Sequence, residues 1–234
     1  MDESRGAFPL VEAGAVVLLG FYLLQAVYNP AWVFDDAFFF LRYADNILNG
    51  HGYTWNQGEG PVDGITSPLW LLVVTAARPV GGLLDISNGN FLALLSLLSG
   101  MGLLAALWLG ARWVLPPKWK AISVLLPVVL TLSPVSVGNT INTGMETALA
   151  SVVLLLYLGF LWELFQGGLG NGKKLAVSAG ALGFLCVFAR PDFGLVALGA
   201  PGLALLSFPE QRKRCLVVLG TVAGLLGVYG LIRL

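Results

Sequence analysis

The stretch Phe91–Val114 reads FLALLSLLSGMGLLAALWLGARWV, with Arg112 as its one charged residue. About 20 predominantly apolar residues span a bilayer as a helix, and this run has that length. Thr147–Phe165 and Leu216–Ile232 meet or approach it as well. Composition says the same for the whole chain: 57% of residues are hydrophobic and 11% charged, with a mean hydropathy of +0.82. A soluble domain carries about 25% charged residues, and less than half that fraction cannot cover a water-facing surface. The sequence therefore predicts an all-α, polytopic membrane protein, read as one transmembrane domain over 1–234.

Charge excludes other classes. The 13 basic and 13 acidic residues cancel, and no basic tail or patch points to nucleic acid. Cys186 and Cys215 lie in or beside apolar runs and read as small buried hydrophobes. His51 is the only histidine, so a histidine-cluster metal site is excluded. Val11–Tyr28 has neither a basic n-region nor a small-residue cleavage site, and reads as a retained span rather than a signal peptide.

Spans are predicted at Leu10–Tyr28 and at roughly 91–114, 120–138, 145–166, 174–189, 193–208 and 215–234. A polar loop, 29–67, follows the first. The segment 68–84 decides the topology. If it crosses with the N-terminus inside, Arg112, Lys118, Lys120, Lys173, Lys174, Arg212, Lys213 and Arg214 all fall outside, inverting the positive-inside rule. If it is re-entrant or interfacial, all eight face the cytoplasm. The segment is short and interrupted by Arg78-Pro79 and Gly81-Gly82, and broken backbone is tolerated at that depth only when shielded. Seven crossings and one non-crossing segment are expected, in a plasma-membrane protein with a cytoplasmic N-terminus. On that topology Asp35, Asp36, Glu59, Asp63, Glu146, Arg190 and Asp192 gather on the outer side.

Asp35-Asp36 precedes Ala37–Leu48, which reads as an amphipathic helix with Phe39, Tyr43 and Ile47 in one stripe. The pair admits two readings. Asp35 can cap the helix, or an ionised carboxylate at the membrane surface can serve as general base toward a hydroxyl. Gly50–Gly60 is glycine-punctuated, with Tyr53 and Trp55 between; it suits tight turns and either sugar stacking or an interfacial aromatic belt. Thr66 or Ser67 is placed to cap a helix opened by Pro68. Glu146 opens another span, where the helix dipole favours it as a structural group or where a carboxylate is costly enough to mark function. Arg190 either neutralises Asp192 or grips a phosphate with its planar fork. Arg78 is a snorkelling cation or a second phosphate contact.

Taken together, Asp35-Asp36-Ala37-Phe38 with Arg42-Tyr43-Ala44, Asn46, Gly50 and Gly52, then Asn56, Gly58-Glu59, then Gly64 and Thr66–Trp70, then Gly144, Glu146-Thr147, then Arg190-Pro191-Asp192 resemble the prokaryotic GT-C glycosyltransferases. The likeness is to the polyprenyl-phosphate-sugar group that includes cell-wall arabinofuranosyltransferases and kin of the protein mannosyltransferases. It covers about Phe34 to Phe193. It implies a GT-C-like helix bundle with juxtamembrane helices in a large first outer loop. The donor it implies is a lipid-phosphate sugar, with Asp35 as base and Asp36 as partner, and Glu146 matches the second acidic position. Arg42, Asn56, Glu59, Asp63, Arg78, Glu146, Arg190 and Asp192 become the expected substrate-binding residues. Phe38 stands where the family pattern has Tyr. Family members continue with more spans beyond the point matching Leu234, so the chain is expected to correspond to their N-terminal portion.

The expected activity is inverting transfer of a sugar from a polyprenyl phosphate to a cell-envelope glycan, lipid or protein acceptor on the outer face, with Arg190 and Arg78 at the phosphate. A divalent cation is the only cofactor left open. Two alternatives stand beside it: a transporter or flippase for a lipid-linked substrate, and an inactive truncated subunit.

Overall fold

The computed structural model describes residues 33–62, 64–114, 143–166 and 172–233. The expected spans at Leu10–Tyr28 and 120–138, and the site candidate Asp63, lie outside them. All regular structure among the described residues is helical: α1 (Ala37–Leu48), α2 (Pro68–Leu83), α3 (Asn88–Val114), α4 (Thr147–Gln166), α5 (Gly172–Ala189), α6 (Gly194–Ser207) and α7 (Arg212–Arg233). Short 3-10 turns at Pro191–Phe193 and Pro209–Gln211 lead into α6 and α7. Among the described residues four segments are long and apolar enough to cross a bilayer: Asn88–Ala111, Thr147–Gln166, Gly172–Ala189 and Pro209–Leu231. Only 17% to 39% of the residues in the most apolar 18-residue window of each are buried within the protein. Apolar helices in which most residues are exposed or half-buried need lipid as solvent, and the chain is an all-α polytopic membrane protein.

The segment 68–84 lacks the interruption expected at Arg78-Pro79 and Gly81-Gly82. It is one unbroken helix to Leu83, with Pro79 inside it. Ser67 caps its start, its Oγ accepting from the Trp70 amide at 3.3 Å. Its end is a reverse turn in which the Ile86 amide bonds the Gly81 carbonyl and the Asp85 amide bonds that of Gly82, with Asp85 left-handed at φ 51°, as Asp tolerates. Gly81 does not break the helix; it makes room. A Cβ there would lie 2.6 Å from the Phe91 ring. At 16 residues, and about 1.5 Å rise per residue, α2 is shorter than the apolar core of a bilayer. So is α6, at 14 residues, although 193–208 reads as a span in the sequence.

The chain forms two compact units, Met1–Asp63 with Val73–Leu149, and Gly64–Leu72 with Ala150–Leu234. In the first, α1 buries Ala37, Phe40, Leu41, Tyr43 and Ala44. The expected stripe through Phe39 and Ile47 is thus rotated: Phe39 is 42% exposed and meets only the edge of Trp55, ring centroids 5.1 Å apart. Ala37–Leu41 is apolar at every position, so its periodicity does not choose a face.

In the second unit α5, α6 and α7 pack together. Ala176, Ala179 and Gly183 line the buried side of α5, small residues at the spacing that lets helices in lipid approach closely. A Cβ on Gly180 would lie 2.5 Å from Thr221, and one on Gly183 would lie 2.9 Å from Val222. A Cβ on Gly172 would lie 3.1 Å from Arg214, so α5 and α7 run parallel. Arg214 Nη1 donates to the Leu164 carbonyl at 2.8 Å, in the last turn of α4, where a cation suits the helix dipole. Cys186 and Cys215 are free and buried, as expected.

Candidate active site

Asp35 and Asp36 form the turn that opens α1. Asp36 occupies the N-cap in αR geometry and makes no side-chain capping bond. Both carboxylates are exposed and have no hydrogen-bond or ion-pair partner among the described residues. The N-cap position thus falls on Asp36 and not on Asp35, the residue expected to cap, and no capping bond is made there. The Phe34 amide just before them donates to the Thr143 carbonyl at 3.0 Å. Gly144 sits at φ 80°, and a Cβ there would lie 2.9 Å from both Ala37 and Val33. The acidic turn and the Gly144-Met145-Glu146 turn are thus brought together, with Glu146 only 5% exposed. Nothing in the sequence marks Phe34 or Thr143 as the seam, because a backbone bond has no side-chain signature.

The loop after α1 is an ordered platform. α1 ends in a reverse turn with the Gly50 amide on the Ile47 carbonyl and the His51 amide on that of Asn46, Gly50 being at φ 79°. Arg42 Nε donates to the Trp55 carbonyl at 2.8 Å and Nη2 to Asn56 Oδ1 at 3.0 Å. Its guanidinium lies 4.5 Å from the centre of the Trp55 ring. Asn56 Nδ2 in turn donates to Glu59 Oε2 at 3.0 Å. Asn46 Nδ2 donates to the Thr54 carbonyl at 2.8 Å, and the Tyr43 hydroxyl to that of Val62 at 2.9 Å. Arg42, Asn56 and Glu59 are therefore one connected group.

The other two arginines are differently placed. Arg78 forms a two-pronged pair with Asp45, Nε to Oδ1 at 2.8 Å and Nη2 to Oδ2 at 3.3 Å. Asp45, a partner 33 positions away in sequence, was not singled out by the sequence. The expected role of Arg78 at a phosphate competes with this pair. In the second unit Arg190 Nε meets Asp192 Oδ1 at 3.1 Å, the neutralising arrangement of its two alternatives. Among the described residues no three His, Cys, Asp or Glu side chains converge to hold a metal ion, and no step below runs through the divalent cation left open above.

Fold and site together define a class: a polytopic helical membrane protein with a paired-carboxylate turn and an ordered, aromatic, polar loop in one unit. No protein-family model matches the chain, and no solved structure matches it. Two curated proteins do, each named terminal beta-(1->2)-arabinofuranosyltransferase. The one from Mycobacterium tuberculosis is 29% identical over 198 residues, 80% of this chain and 30% of that protein. The one from Corynebacterium glutamicum is 27% identical over 237 residues, 91% of this chain and 32% of that protein. The chain spans about a third of the length of these relatives.

Proposed function

We propose that this chain carries the acid-bearing end of a membrane glycosyltransferase. It transfers a sugar, arabinofuranose on the likeness to its relatives, from a polyprenyl phosphate to a cell-envelope glycan at the outer face of the plasma membrane. The observation that carries this reading is the Asp35-Asp36 turn: two exposed carboxylates, with no capping bond at Asp36, drawn against the Glu146 turn by the Phe34–Thr143 backbone bond. Embedding in the bilayer presents such a turn to a lipid-anchored donor.

In the proposed step the acceptor hydroxyl oxygen attacks the anomeric carbon, and its proton passes to the Asp35 carboxylate. The bond from the anomeric carbon to the phosphate oxygen breaks, and its electron pair leaves with the lipid phosphate. Attack opposite the leaving group inverts the anomeric centre. The phosphate is a good leaving group without a general acid. Asp36 and Glu146 position the acceptor.

The test is transfer from a synthetic polyprenyl-phosphoryl arabinofuranose to an arabinan oligosaccharide by the purified chain in nanodiscs. Asp35→Asn is expected to lower the rate by roughly 10²- to 10⁴-fold, the usual value of general-base help, with thermal unfolding unchanged. Near-full transfer by that variant would remove Asp35 from the role. Wild-type protein with no transfer above background would overturn the reading.

A further inference from the structure

We infer that Arg42 is the side chain that holds the phosphate of the lipid-linked ligand. This rests on the glycosyltransferase reading and replaces the expectation that Arg190 and Arg78 do so. Each of those guanidiniums already faces a carboxylate, Asp192 and Asp45. Among the described residues Arg42 donates only to neutral oxygens, the Trp55 carbonyl and the Asn56 amide. Glu59 stands beyond Asn56 and makes no ion pair with it. A guanidinium has five N–H donors; the two bonds of Arg42 leave both hydrogens of Nη1 and one of Nη2 unspent. The residue is exposed, and the Trp55 ring and its two bonds fix the plane of the fork. This is a cation oriented before a ligand arrives and with no counter-ion among the described residues.

Its position fits the reaction. Asp35, Phe38, Phe39 and Arg42 recur at the spacing of one helix face, and all four are exposed. Seven residues at helical rise place Arg42 about 10 Å from Asp35 along the axis. A base-to-hydroxyl bond and an attack distance each take about 3 Å of that. Adding the link from the anomeric carbon through oxygen to phosphorus and a charge-assisted hydrogen bond to the fork gives a span of the same order, which the reach of the two side chains can match. Phe38 and Phe39 lie between, as apolar faces against which a sugar ring can rest.

The test compares binding of undecaprenyl phosphate and of uncharged undecaprenol to the full chain in nanodiscs. Wild-type protein is expected to prefer the phosphate, and Arg42→Gln to lose about tenfold or more of that preference, with undecaprenol binding unchanged. Arg42→Lys should recover part of it. If Arg42 serves only to latch the loop, the variant weakens both lipids equally, and the inference is overturned. A second measurement needs no variant. Phenylglyoxal should modify Arg42 in the wild-type protein, and undecaprenyl phosphate should protect it where undecaprenol does not. Equal protection by both lipids, or by inorganic phosphate at the same concentration, would overturn the assignment. The two readings fail separately. Phosphate preference lost in Arg42→Gln with no sugar transfer by wild type leaves the anion site standing and removes the enzyme. Transfer by wild type with the preference intact in Arg42→Gln does the reverse.

Discussion

Pro201 removes a backbone donor from the middle of α6, which leaves the Ala197 carbonyl, four residues earlier, without its helical partner. The Tyr157 hydroxyl fills the gap, donating to that carbonyl at 2.7 Å. Both Tyr157 and Ala197 are fully buried, so water cannot stand in. Tyr157→Phe is expected to cost about 1 kcal/mol, the ordinary cost of a lost bond, and more if the carbonyl stays dry. Pro201→Ala restores the amide, and in that background the cost of Tyr157→Phe should fall toward zero. Unfolding of the four proteins in denaturing detergent checks this as a double-mutant cycle. An equal cost in both backgrounds would mean the hydroxyl does not compensate the proline. The sequence shows Pro201 but not its partner, which lies 40 positions from Ala197.

At the scale of elements, two contacts fix α1, one at each end. At its start, Gly144 allows the Glu146 turn to lie against Ala37. Gly144→Ala adds a Cβ at a positive φ, worth about 1–3 kcal/mol of strain, in a space where Ala37 and Val33 already stand 2.9 Å away. Lower thermal stability and a loss of transfer are expected together, whereas Gly60→Ala, with nothing within 4 Å, should change neither. Further along, Asp45 pairs with Arg78 of α2. The side chains are 44% and 19% exposed, so solvent screens the pair. A cycle through Asp45→Asn and Arg78→Gln should give a coupling of about 1 kcal/mol or less. A coupling that vanished would show that the pair does not tie α2 to α1.

These contacts also show what was legible beforehand. The bounds of α1 are readable because the acidic pair, the apolar run and the Gly50 stop are all local signals. Its buried face is not, because Phe38, Phe39 and Phe40 are equally apolar and only Trp55 and the rest of the fold choose among them. The acidic pair is readable as a candidate site. That Asp36 forms no capping bond, and that Arg42 is held against neutral acceptors, depend on geometry that no spacing encodes. Gly81 reads as a breaker until Phe91 is seen lying on it.

For the whole molecule, the arrangement of charge along the second unit gives the sharpest expectation. α5 begins with Lys173 and Lys174 and ends at Arg190-Pro191-Asp192, and α7 runs parallel to it from Arg212, Lys213 and Arg214. The 18 residues of α5 cover about 27 Å at helical rise, close to the apolar thickness of a bilayer. A basic end and an end carrying Asp192 that far apart should lie on opposite sides of the membrane, and a cytoplasmic basic end places Asp192 outside. Cys186 and Cys215 are both buried, so the native chain should react little with an impermeant maleimide. That gives a quiet background for Lys174→Cys and Asp192→Cys, both at exposed positions. In intact cells Asp192→Cys should label and Lys174→Cys should not; in inside-out vesicles the pattern should reverse. Labelling of both from one side would mean that α5 does not cross. Reversed sidedness, with Lys174→Cys reacting in intact cells, would put Asp192 in the cytoplasm and remove it from an outer-face reaction.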